Sequence, residues 1–156
     1  MNHDRRKVLK GTGGMAVMGL AVSAGLFKPG SAWAQGWNKA AFETKSLADT
    51  VKAMGGSGAT ESKDIVISSP DIAENGAVVP FTISSRVPKT EAIALLVEKN
   101  PNALAASFNI PAGTEAGVPT REKMGQTSNV TALVKADGKF YYTTKEVKVT
   151  MGGCGG

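Results

Sequence analysis

Cysteine and histidine are almost missing from this chain. Its 156 residues contain one of each, Cys154 and His3. Ala32-Trp33-Ala34 fits an A-x-A cleavage site, which assigns His3 to a removable leader and makes Gln35 the first mature residue. The mature chain then has no histidine. Ser-His-Asp and Cys-His nucleophilic arrangements are excluded, and so is a histidine-based metal site. One cysteine makes neither an internal disulfide nor a structural zinc site, and C-x-x-C redox chemistry is absent. No catalytic, cofactor-binding or metal-binding residue is expected. Aromatic residues make up 6% of the chain and are not interleaved with a basic patch, so nucleic acid is not an expected partner.

The excess of positive charge is also only apparent. The chain has 18 Lys+Arg against 13 Asp+Glu. The leader, residues 1–34, removes Arg5, Arg6, Lys7, Lys10 and Lys28 against Asp4 alone, leaving 13 basic and 12 acidic residues. The stretch from Gly11 to Phe27 is rich in glycine and alanine and runs straight into the cleavage site, as a signal peptide does and a permanent membrane anchor does not. Asp4-Arg5-Arg6-Lys7-Val8-Leu9-Lys10 resembles a twin-arginine export signal. That resemblance implies a bacterial protein that folds in the cytoplasm and is exported to the periplasm, with no membrane attachment after cleavage.

What the chain does have is a distinctive ending, Gly152-Gly153-Cys154-Gly155-Gly156. Four glycines offer no side chain to bury and lose the most backbone entropy on ordering, so a packed core has no use for them. The expectation is a swinging arm, residues 152–156, with a thiol near its tip and a reach of roughly 17 Å from its anchor. Activation of a thiolate needs a nearby cation or helix N-terminus. The nearest basic residue is Lys148, back in the preceding strand, and the terminal carboxylate of Gly156 disfavours the thiolate. Cys154 therefore reads as a handle for other proteins' active sites, not as a self-sufficient catalyst.

Residues 35–151 read as one carrier domain. After a mixed approach segment, Ser46 starts a helix: Leu47, Val51 and Met54 share a face, Ser46 with Asp49 resembles a capping box, and Gly55 stops it, with Phe42 packed beneath. Gly55-Gly56-Ser57-Gly58 is a loop, since no Gly-Lys-Ser/Thr follows to make a phosphate cradle. Strands are expected at 65–67, at 78–84 (with Pro80 marking an edge or bulge), at 92–98 as a buried run, at 104–110 and at 130–135. Ala136-Asp137-Gly138-Lys139 predicts a hairpin, returning through 140–144, with a final half-buried strand carrying Val147, Val149 and Met151. About seven short strands at this spacing predict an all-β fold, an immunoglobulin-like antiparallel β-sandwich with a short N-terminal helix and the flexible C-terminal arm.

The ending Val147-Lys148-Val149-Thr150-Met151-Gly152-Gly153-Cys154-Gly155-Gly156, with the leader, the helix and the strand pattern, resembles the SoxY family of sulfur carriers in bacterial thiosulfate oxidation. The resemblance implies a carrier that is not itself an enzyme. Cys154 would be the covalent attachment point for S-thiosulfonate and persulfide intermediates, and Gly152, Gly153, Gly155 and Gly156 the arm. The implied partners are a SoxZ-like sandwich subunit forming a heterodimer, a haem-containing enzyme that loads thiosulfate, a hydrolase that releases sulfate and, in some organisms, a sulfur dehydrogenase. Three other readings compete. An exported single-thiol redox enzyme would show turnover alone. A structural protein would dimerise through Cys154. A carrier of the kind that ends in Gly-Gly and is activated by adenylation would hold sulfur on its terminal carboxyl, and would need ATP that an exported protein lacks.

Overall fold

Asp137 and Gly138 take φ of 49° and 74°, the positive pair that a two-residue hairpin turn requires. The turn joins two long strands, β8 (Ser128–Ala136) and β9 (Lys139–Val149), in a ladder running from Ala136 opposite Lys139 to Ser128 opposite Val147. The computed structural model describes residues 38–150, and β9 is the strand on which its larger sheet closes. That sheet has the order β1-β9-β8-β5-β6, where β1 is Ala59–Glu61, β5 Thr90–Val97 and β6 Leu104–Asn109. The two-residue strand β3 (Ile72–Ala73) pairs with the far end of β9. A second sheet has the order β2-β4-β7, from Ile65–Ser68, Val79–Ser85 and Gly117–Glu122. The fold is mostly β-sheet with two short helices, consistent with an immunoglobulin-like sandwich.

Two apolar layers hold it. Between the sheets lie Ile65, Val79, Phe81, Ile83, Ile93, Leu95, Val97, Val130, Val134 and Val147. On the outer face of the larger sheet, Ala94, Leu96, Leu104, Leu133 and Phe140 meet the helices α1 (Lys39–Phe42) and α2 (Leu47–Ala53) through Ala41 and Val51. Strand β5 feeds both layers, odd residues inward and even residues to the helices, which is why its sequence is a continuous apolar run.

Helix α2 forms as its sequence dictates. Ser46 Oγ accepts from the Asp49 N–H at 3.1 Å and donates to the Asp49 carboxylate at 2.7 Å. At the other end Gly55, with φ of 87°, donates to Lys52 O, and Gly56 donates to Val51 O, the paired bonds of a Schellman stop. Gly56 has a second constraint. A Cβ built there would lie 2.6 Å from the Phe140 ring and 2.7 Å from Val51 Cγ1. Gly56→Ala is expected to lower stability by about 1–3 kcal/mol through overpacking, read as a lower denaturant midpoint at unchanged slope.

Several expectations are corrected. The sandwich is not wholly antiparallel: β1 and β3 both run parallel to β9. Both are too short to carry a periodic signal. Among the described residues a second helix precedes the expected one, because Asn38 caps a single turn at Lys39–Phe42 in what reads as an approach segment. Pro80 does not mark an edge strand, since β4 is central in its sheet. However, β2 pairs with β4 only from Thr82 to Ser85, so Pro80 has a neighbour on the β7 side alone. The stretch around Pro119 is strand β7, an edge position where a missing N–H is tolerated. The two predicted C-terminal strands are one, β9, and Met151 lies outside the described residues.

Candidate functional site

Cys154 and the glycines Gly152, Gly153, Gly155 and Gly156 lie outside the described residues, as does the stretch 1–34 expected to be a leader. The structure describes the platform that presents them, the end of β9. Thr150 is its last described residue, and a chain of four residues keeps Cys154 within roughly 14 Å of it.

That end is fastened on both edges. On the β3 side, the Lys148 N–H donates to Asp71 O at 2.9 Å and the Thr150 N–H to Ala73 O at 3.1 Å. The Thr150 hydroxyl donates to Glu74 O at 3.2 Å. On the other edge β8 has run out, and the Thr127 hydroxyl takes its place, accepting from the Val149 N–H at 3.0 Å. Val147, just before, is fully buried. The neighbouring loops brace one another: the Met124 N–H donates to Gly76 O at 2.7 Å, and Asn100 Nδ2 donates to Lys123 O at 2.7 Å. The backbone is therefore held up to Thr150, two residues before Gly152. Sequence reasoning found β9 by its alternating valines. It missed Thr127, Asp71 and Glu74, whose contribution comes from backbone position and leaves no pattern.

The charges here form pairs and do not converge on a ligand. Lys145 contacts Asp71 at 2.9 Å and donates to Ser69 O at 2.7 Å. The hydrogen bond and charge of Lys145 hold the Asp71 carboxyl below its ordinary range. The pair is thus intact at neutral pH and is lost as pH falls through that lowered value, and because Asp71 is exposed it contributes little stability. Burial pushes the Glu122 carboxyl up, offset in part by the Thr120 hydroxyl at 3.3 Å. Lys148 is exposed. Among the described residues no group of three His, Cys, Asp or Glu side chains is placed to hold a metal.

A cavity of about 540 Å³ lies at the opposite end of the sandwich. It is lined by Arg86, Lys89, Glu91, Ile110, Thr114 and Asp137 among others. Asp137 sits in the β8–β9 turn, and the eleven residues of β9 span roughly 35 Å at strand rise. A tether of roughly 14 Å from Thr150 cannot bring Cys154 to that cavity in the same molecule. The body of the protein thus offers its terminal cysteine no chemistry at the cavity and a firm anchor at the base.

Comparison with known proteins gives the following. A family model described as sulfur oxidation protein SoxY matches residues 51–154. Among solved structures, the sulfur carrier protein SoxY from Chlorobium limicola f thiosulfatophilum is similar at 35% identity, over 66% of this chain and 96% of its own, with a TM-score of 0.58. A superoxide reductase (neelaredoxin) from Ignicoccus hospitalis is similar at 18% identity, over 55% of this chain and 78% of its own, with a TM-score of 0.48. No curated protein sequence matches.

Proposed function

The chain belongs to the SoxY family of sulfur oxidation proteins, and from that premise we propose that it is a sulfur carrier of the Sox system that works through Cys154. The observation that carries this reading is a lone cysteine flanked by two glycines on each side, five residues beyond a strand end fastened on both edges. The family match runs through Cys154 itself.

The chemistry follows from a thiol and thiosulfate. A sulfur–sulfur bond forms between Cys154 Sγ and the outer sulfur of thiosulfate, the thiol proton leaves, and two electrons pass to a haem-containing enzyme. Water then cleaves the bond to the sulfone, releasing sulfate and leaving a persulfide on Cys154. Other enzymes supply each step, including a sulfur dehydrogenase where one is present. The carrier itself supplies an accessible sulfur at the end of a slim segment, with Gly152, Gly153, Gly155 and Gly156 admitting it to narrow sites. A twin-arginine leader at 1–34 places this work in the periplasm, and a SoxZ-like sandwich subunit completes the carrier as a heterodimer.

The test is the intact mass of the mature protein purified without reductant, before and after reduction. The expected result is an increment matching thiosulfonate, persulfide or a longer sulfur chain, removed by reduction and mapped to Cys154. Sulfur on the terminal carboxyl, or a thiol that stays bare after incubation with the loading enzyme and thiosulfate, overturns the reading. A reducible dimer as the sole product moves it to a structural protein that cross-links through Cys154.

A further inference from the structure

One side chain completes the fastening below Cys154. β8 begins at Ser128, opposite Val147, and so stops short of Val149. Backbone groups alternate in direction along an antiparallel ladder, so the N–H of Val149 points to the same side as that of Val147. What it meets there is the Thr127 hydroxyl, which accepts it at 3.0 Å. A side-chain oxygen thus extends the β8 edge beyond the point where the β8 backbone ends. Thr127 is half-buried, which holds its hydroxyl beside the strand.

The opposite edge does not hold this end of β9 by itself. β3 has two residues, and its Ile72 is 57% exposed, so it brings little apolar burial to the contact. Two short strands paired only with each other are marginal in water. Packing weakens along β9 as well: Val147 is fully buried, Val149 half-buried and Thr150 exposed. Lys148, Val149 and Thr150 therefore keep their strand conformation because they are bonded on both sides. The bonds to Asp71 O and Ala73 O are backbone to backbone and survive any side-chain substitution, whereas the bond to Thr127 does not.

We propose that Thr127 is a positioning residue for the carrier thiol: its hydroxyl fixes the point at which the tether to Cys154 begins. This rests on the sulfur-carrier reading above. With the bond made, the chain is held to Thr150 and Cys154 follows four residues later. Without it, the last residue paired on the β8 side is Val147, seven residues before Cys154. The reach of the sulfur then grows from roughly 14 Å to roughly 24 Å. Once a flexible tether covers the required span, the effective concentration at its tip falls as about the −3/2 power of its length, so delivery from a docked carrier slows about twofold. Docking of the body is unchanged, because only the start of the tether moves.

The experiment compares wild type, Thr127→Val and Thr127→Ser as full mature chains. Valine keeps the branched shape and removes the acceptor, whereas serine keeps the oxygen. The Val149 amide is expected to exchange about tenfold faster in Thr127→Val, the loss of one hydrogen bond, and at close to the wild-type rate in Thr127→Ser. Loading is then followed by intact mass in single turnover, with thiosulfate and increasing loading enzyme. Thr127→Val is expected to load about twofold more slowly at saturating enzyme, with an unchanged half-saturating concentration, and Thr127→Ser to restore the rate. A wild type that never loads overturns the carrier reading and this role with it. A wild type that loads, with Thr127→Val as fast or faster at saturation, overturns the positioning role alone. So does a slow Thr127→Val that serine does not rescue, which assigns the defect to packing. A raised half-saturating concentration at an unchanged saturated rate also overturns it, and assigns Thr127 to the docking surface.

Discussion

Cys154→Ser abolishes sulfur loading and leaves the melting curve of the wild type. The loss is complete because Cys154 carries the only thiol in the sequence, and a serine hydroxyl forms no persulfide. Stability is unchanged because both apolar layers are built from residues 41–149. The backbone at the end of β9 is likewise held by Asp71, Ala73 and Thr127. Loading is read by intact mass after incubation with thiosulfate and the loading enzyme, and folding by circular dichroism on the same sample. Retained loading in the variant sinks the carrier role of Cys154.

Phe81→Ala is expected to do the reverse, lowering stability by about 3–5 kcal/mol while the fraction that stays folded loads sulfur normally. Phe81 is 2% exposed and lies in the middle of β4, the central strand of a sheet of only three. That sheet grips the larger one through a short row of inward residues: Ile65, Val79, Phe81, Ile83 and Val118. Phe81 is the only aromatic among them, and its removal leaves a cavity between two sheets that cannot close without shifting a whole ladder. Against a total of about 5–15 kcal/mol for a domain, the loss brings the protein near its unfolding threshold. A denaturant midpoint within error of wild type would show that the sheets do not depend on this ring.

The sequence is most legible where one residue type has one physical use. Asp137-Gly138 announces its turn because few residue pairs adopt positive φ. Ser46, Asp49 and Gly55 mark the limits of α2 because they satisfy the orphan groups of a helix. β5 is legible as buried because both of its faces are apolar. Reading fails where position decides. β1 and β3 exist because β9 offers an edge, and nothing in Ala59–Glu61 or Ile72–Ala73 says so. β7 is hidden by Pro119, which argues against a strand unless its edge location is known. The polar pair Lys145-Glu146 looks like a break, yet it continues β9 because its partners on β8, Val130 and Asn129, are in place. The cysteine stands out from composition alone. The fastening at its base does not, because backbone carbonyls at Asp71, Ala73 and Glu74 carry it.

The position of β9 has a consequence for how the molecule is made. It pairs with β8, with β1 and with β3, so it joins the last part of the chain to the first strand of the domain. Such distant pairings raise contact order and slow folding. While the ribosome still holds β9, β8 lacks its outer neighbour, and β1 and β3 have nothing to pair with. The larger sheet therefore closes only when β9 has emerged, and a nascent domain short of that strand is an open sheet exposed to proteolysis.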